Sequence, residues 1–222
     1  MKNNPYIEII QSDPHILQIP EKIYAHKGKW DDFFGNTNEI YLEIGTGLGN
    51  FFSLESSQNR DKNFIWMEIK YKRLHKTAEK SRNLWIKNFI LLKDFWQNID
   101  SIFQKNEVSR TYIFFPDPWS EKDRQKKHKL LQREFLIQLY EITKPGWEFF
   151  FKTDHKGYFD EVLEILQSLG SWEIQNMSYD YERESEKFTK TKMTEFESIF
   201  RWDKLQICYA EYKKVDKQKK YL

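Results

Sequence analysis

Five short apolar segments of this chain each run into an acidic residue: Glu43, Glu68, Asp94, Asp117 and Asp154. Between them lie stretches with helical spacing, such as Tyr71, Leu74 and Ala78, or Leu131, Phe135, Leu139 and Ile142. The pattern predicts strands at residues 40–44, 64–67, 89–92, 111–115 and 147–151, and two late strands at 172–176 and 204–212. It predicts helices at 48–57, 70–83, 97–104, 130–143 and 158–168. Such alternation implies an α/β fold, a mostly parallel seven-stranded sheet with helices on both faces. In open α/β sheets ligands bind outside the carboxyl ends of the strands. One acid at such an end is ordinary surface chemistry, whereas five in register along one chain imply a shared site.

The 222 residues suffice for one sizeable domain. We divide them into an N-terminal arm packed on the domain (1–38), the domain itself (39–213) and a lysine-rich tail (214–222). Lys144-Pro145-Gly146 reads as a helix stop, and 178–200 as a polar loop between the late strands. Net charge is only +2, so no global field announces a nucleic-acid partner, although 70–93, 122–133 and 213–220 are locally basic. Their ordinary reading is a solvated helix face or tail. Aromatics reach 17%, enough either to build a core or to stack on bases. Cys208 is the only cysteine, which excludes an intrachain disulfide and a cysteine metal cluster, and no metal is expected. No signal peptide and no bilayer-length apolar run is visible, so no membrane partner is expected and the default location is cytoplasmic.

Glu43-Ile44-Gly45-Thr46-Gly47-Leu48-Gly49 joins the first strand to its helix. Glycines let a backbone turn tightly and approach a ligand. The spacing is not that of dinucleotide binders, and Glu43 would repel a pyrophosphate, which argues against a nucleotide-dependent dehydrogenase. Glu43 suits a cationic ligand such as the sulfonium and amino groups of S-adenosylmethionine. Glu68, about 20 residues on, is placed for ribose hydroxyls, and Asp94 for the adenine amino group. Either can otherwise be a surface carboxylate.

Phe114-Phe115-Pro116-Asp117-Pro118-Trp119 closes the fourth strand. Two prolines fix the backbone around Asp117, and Trp119 either stacks on a planar base or simply packs. The basic run that follows carries Lys122, Arg124, Lys126 and Lys127, the residue types that phosphate binding needs. Lys152-Thr153-Asp154-His155 closes the fifth strand. Asp154 is placed to face substrate, while His155 reads as a structural hydrogen-bonder.

Trp30-Asp31-Asp32-Phe33-Phe34-Gly35-Asn36, Leu42-Glu43-Ile44-Gly45, Phe115-Pro116-Asp117-Pro118-Trp119 and Lys152-Thr153-Asp154-His155 together resemble the tRNA (guanine-N7-)-methyltransferase family of the TrmB type, over residues 30–212. The resemblance implies a Rossmann-like class I S-adenosylmethionine-dependent methyltransferase forming N7-methylguanosine in the tRNA variable loop. It implies cofactor contacts at Glu43, Gly45, Gly47, Gly49, Glu68, Asp94 and Asp117, with Asp117 also catalytic. On the substrate side it implies Asp154 and the segment Thr194-Glu195-Phe196-Glu197, which resembles the family's Thr-Lys-Phe-Glu. The sequence departs from the family at Ser120 and Glu121, where a proline and a basic residue are usual. It departs again at Glu195, where lysine is usual, and at Ile199-Phe200, where Arg-Gly is common.

Under this reading N7 needs no deprotonation, so catalysis is mostly positioning. Asp117 either stabilises the developing positive charge or grips the guanine N1 and N2 hydrogens. The arm and residues 124–129 are expected on the RNA backbone, in a salt-sensitive contact. A monomer or homodimer is expected. Two rivals remain: a tRNA-binding protein with weak or lost catalysis, which Glu121 and Glu195 motivate, and a methyltransferase acting on another RNA or a small molecule.

Overall fold

The computed structural model describes residues 4–119, 128–184, 186 and 193–215. Its strands are β1 (Ile16–Leu17), β2 (Ile40–Ile44), β3 (Asn63–Met67), β4 (Phe89–Leu92), β5 (Val108–Phe114), β6 (Thr143–Thr153), β7 (Trp172–Ser178) and β8 (Cys208–Lys214). The helices of the arm are α1 (Tyr6–Gln11), α2 (Pro20–Tyr24) and α3 (Trp30–Phe34). Those between the strands are α4 (Asn50–Gln58), α5 (Tyr71–Asn83), α6 (Ile99–Ile102), α7 (Arg133–Ile142) and α8 (Lys156–Leu169), and α9 (Tyr181–Glu184) and α10 (Glu195–Trp202) follow β7. The sheet order is β1-β4-β3-β2-β5-β6-β8-β7. Pairing is parallel except at β8, which runs antiparallel to both β6 and β7.

The central strands are buried and mostly apolar because both faces are covered. Side chains alternate between faces, and the core divides accordingly. Ile40, Leu42, Ile44, Ile65, Met67, Ile90 and Leu92 meet α2, α3, α6, α7 and α8 on one side. Tyr41, Phe64, Trp66, Phe89, Tyr112 and Phe150 meet α1, α4 and α5 on the other. The high aromatic content is largely explained here: the second face is a cluster of edge-to-face and stacked rings such as Phe52 on Phe64 and Tyr112 on Phe150.

Among the described residues the sheet has eight strands, where the sequence pattern predicts seven. The additional β1 comes from the arm and pairs in parallel with β4, Ile16 opposite Leu91 and Leu17 opposite Leu92. Two residues are too short to show a period. The arm also buries Ile10, Ile23 and Trp30, and the Trp30 indole donates to the carbonyl of Ile102 (3.1 Å). Lys144-Pro145-Gly146 does not simply end a helix: it lies within β6, where the register jumps from Val108 opposite Thr143 to Arg110 opposite Glu148. The intervening residues bulge out of the ladder, so proline's missing donor costs no pairing. The segment 178–200, read as loop, carries α9 and most of α10 among its described residues, and 185 and 187–192 lie outside them.

Candidate functional site

Glu43 is the fourth residue of β2, on the face that carries Tyr41, and only 3% of it is exposed. Among the described residues its Oε2 has no hydrogen-bond partner. Burial first, then the nearby carboxylates of Glu195 and Glu68, push its pKa well above the usual carboxylate range. A buried carboxyl without a donor is costly, and a cationic ligand group would relieve that cost.

The chain then turns through Gly45 at φ 83°, in the left-handed region where a side chain is disfavoured. A Cβ at Gly45 would meet nothing within 4 Å, so the turn leaves open room beside Glu43. Gly49 differs. A Cβ there would lie 2.4 Å from the Thr77 methyl, so this glycine lets α4 start directly against α5.

Glu68 follows β3 and is buried. Its Oε1 accepts from the backbone N–H of Ile69 (2.8 Å) and Lys70 (3.0 Å), and Arg73 lies 3.4 Å from its Oε2. Asp94, two residues past β4, is equally enclosed. Its Oδ1 accepts from Phe95 N (2.7 Å) and Asn98 Nδ2 (2.7 Å), while Oδ2 makes no hydrogen bond of normal geometry. Burial and the neighbouring Asp94 charge raise the pKa of Tyr24, which brings α2 of the arm to this corner. Exposed Ile69 and Phe95 each follow one of these acids. Three carboxylates thus end the adjacent strands β2, β3 and β4. Their two orphaned oxygens and the open glycine turn fit a ligand that carries a cation, a ribose and an amino-bearing base.

Beyond β5, Phe115 adopts φ 52° and Trp119 φ 42°, left-handed conformations unusual for aromatics. The Phe115 N–H donates to Lys152 O (2.8 Å), which extends the β5–β6 pairing and holds the strained turn. Asp117 lies exposed between the two prolines. Trp119 tilts against His128 with ring centroids 5.5 Å apart. Lys122, Arg124, Lys126 and Lys127 lie outside the described residues. The described end of that basic run turns inward: Lys129 is buried, pairs with Glu161 and lies over the Tyr158 ring.

Asp154 is exposed at the end of β6. His155 caps α8, its Nδ1 accepting from Tyr158 N (2.9 Å). Lys152 is fully buried, bonded to Glu197 (2.8 Å) and 4.0 Å from the centroid of the Tyr181 ring. Burial pushes the Lys152 pKa down to about 8, against the upward pull of Glu197.

The segment Thr194–Glu197 was expected as one substrate-facing unit, and its four side chains go to different places. Thr194 caps α10, accepting from Glu197 N (2.9 Å). Glu197 is 1% exposed and held between Lys152 and Arg201 (2.8 Å each), so it faces the protein interior. Phe196 and Phe200 pack toward Phe115. Glu195 turns to the glycine loop, where its Oε2 accepts from Leu48 N (3.1 Å). Sequence reasoning missed Lys152 as the anchor of α10 and Lys80, which donates to Leu48 O (2.8 Å). A lysine at a strand end carries no sign of burial, and Lys80 sits in a basic helix where a lysine ordinarily reads as part of a solvated face.

Among the described residues no cluster of metal-ligating side chains occurs, and no helix is long and apolar enough to cross a membrane. A family model described as "Putative methyltransferase" matches residues 37–210. A bifunctional glycosyltransferase/methyltransferase of Fusobacterium nucleatum is 36% identical over 211 residues, 95% of this chain, and the chain spans 31% of that longer protein. A tRNA (guanine-N(7)-)-methyltransferase of Clostridium acetobutylicum is 35% identical over 175 residues, covering 79% of this chain and 81% of the relative. Among solved structures, the 16S rRNA methyltransferase KamB superposes with a TM-score of 0.61 at 12% identity, over 85% of this chain and 94% of KamB, a likeness of fold.

Proposed function

Because this chain belongs to the tRNA (guanine-N7-)-methyltransferase family, an S-adenosylmethionine-dependent family, we propose that it methylates N7 of a guanine in the tRNA variable loop. The observation that carries this reading is the row of carboxylates on adjacent strand ends, Glu43, Glu68 and Asp94. Glu43 has an orphaned oxygen beside the open glycine turn, Asp94 has an oxygen with no hydrogen bond of normal geometry two strands away, and Asp117 follows β5 on the other side of β2.

In this assignment Glu43 takes the cationic end of the cofactor, Glu68 the ribose and Asp94 the adenine amino group, with Gly45, Gly47 and Gly49 shaping the cradle. The bound cofactor supplies an electrophilic methyl group. N7 of guanine already has an exposed lone pair, so the chain needs no general base there and contributes mainly orientation. Asp117, exposed at the rim and fixed by its prolines, sets a negative charge where the purine becomes cationic. Asp154 and Trp119, both exposed, are assigned to the substrate side as well. Lys122, Arg124, Lys126 and Lys127 are assigned to the RNA backbone, a contact that weakens steeply with salt. Thr194, Phe196 and Glu197 serve the substrate side indirectly, by fixing α10. The reaction is assigned to the cytoplasm and to a monomer or homodimer.

Methyl transfer from labelled S-adenosylmethionine to unmodified total tRNA, followed by nucleoside analysis, tests the reading. The expected product is N7-methylguanosine. Cofactor binding without any methylated nucleoside would instead favour a tRNA-binding role.

A further inference from the structure

We propose that Glu195 is a built-in competitor for the cofactor's carboxylate at the glycine turn, so that the start of α10 must release Leu48 before the cofactor can seat. This rests on the cofactor assignment above.

Glu195 is fixed by its neighbours on both sides. Thr194 caps the helix, and Glu197, two residues on, is buried against Lys152. Phe196 reaches toward Phe115. With the helix start so held, the Glu195 side chain lies against the turn. Its Oε2 accepts from Leu48 N (3.1 Å), and a Cβ at Gly47 would stand 3.5 Å from that same oxygen. Lys80 lies 3.7 Å from Oε1 while donating to Leu48 O. The cavity beneath is lined by Glu43, Gly45, Gly47, Glu195 and Phe196 and measures only about 20 Å³ with Glu195 in place. Pockets for ligands of drug size take roughly 300–1,000 Å³.

S-adenosylmethionine ends in an ammonium and a carboxylate. Glu43 suits the ammonium. The carboxylate needs a donor on the same turn, and the Leu48 N–H already serves a carboxylate. One N–H cannot serve two anions at full strength, and like charges at contact repel. Glu195 also adds to the upward shift of Glu43, so its withdrawal makes Glu43 easier to ionise as the cation arrives. Glu195 thus sets how tightly the amino-acid end of the cofactor is held.

The test is calorimetric titration of the wild type, Glu195→Ala and Glu195→Gln with two probes. S-adenosylhomocysteine carries the amino-acid end, and 5′-methylthioadenosine shares the adenosyl thioether without it. Glu195→Ala is expected to tighten S-adenosylhomocysteine roughly tenfold, the scale of one hydrogen bond to a charged group, and to leave methylthioadenosine unchanged. Glu195→Gln, which keeps an acceptor but loses the charge, falls between. Unchanged or weaker S-adenosylhomocysteine binding in both variants overturns the proposal, as does equal tightening of both probes. If no form of the protein binds either probe, the cofactor assignment fails and the proposal with it, a result distinct from binding that the variants leave unaltered.

Discussion

Glu43 stores a cost in the free protein. Its carboxyl is buried, one oxygen has no donor among the described residues, and its pKa is raised. The folded state therefore holds this proton more tightly than the unfolded chain does. Stability tied to Glu43 is fully present below its ordinary value near 4.5 and is lost as pH rises through the raised value. Glu43→Gln removes the ionisation. The variant should melt higher than the wild type at pH 8, the difference should vanish near pH 4, and S-adenosylhomocysteine should bind it more weakly. Identical melting curves at both pH values would show that Glu43 ionises freely in the folded protein. Placing an acid at this point was legible in the sequence, because an acid ended an apolar run directly before the glycines. Its isolation was not, since that depends on which neighbours the sheet brings beside it.

At the level of elements, α10 illustrates why periodicity fails locally. Among its buried positions is the charged Glu197, while Ile199 and Trp202 stand 52% and 86% exposed. Phe196 and Phe200 lie toward Phe115 while Ile199 and Trp202 place apolar side chains on the solvent side, so no single apolar stripe marks the docking face and the segment reads as loop. What holds α10 is the chain of charges from Lys152 through Glu197 to Arg201. Lys152→Met would leave buried Glu197 with Arg201 as its remaining charged partner and cost up to about 3 kcal/mol, the low end for breaking a buried pair. Adding Glu197→Leu should recover most of that loss, because an apolar pair of similar volume avoids the desolvation of both charges. Urea denaturation of the single and double variants reads this directly. Equal stability of wild type and Lys152→Met would mean that the pair contributes nothing net. The acid-ended strands were far more legible, since strands buried on both faces appear as continuous apolar runs.

For the whole molecule, the arm is structural as well as a candidate RNA contact. β1 covers the open edge of β4, and Ile10 and Ile16 are buried. Deleting residues 1–18 exposes that edge and removes both side chains, each worth about 1.5–3 kcal/mol of burial. The melting temperature should fall by roughly 10 °C on this scale, and the exposed strand should promote aggregation. A truncated protein that melts with the wild type would reduce the arm to an appendage. The sequence showed the parallel half of the sheet through its repeated strand–acid–helix rhythm. It did not show how the two late strands attach, because pairing partners so far apart in the chain leave no local trace.

The insertion of β8 between β6 and β7 also has a consequence for synthesis. Strands β1 to β4, with Glu43, Glu68 and Asp94, lie within the first 94 residues, so on the ribosome this part can begin to pair as soon as it emerges. β7 cannot: its sheet partner is β8, made more than thirty residues later. Until Cys208–Lys214 arrives, β6 has a bare edge and β7 has no place in the sheet. Glu195 is delivered within that same interval. A nascent chain arrested before residue 208 would therefore carry Glu43, Glu68 and Asp94 on their strand ends while β6 and β7 lack the strand that joins them, and would present an unpaired strand to the quality-control machinery.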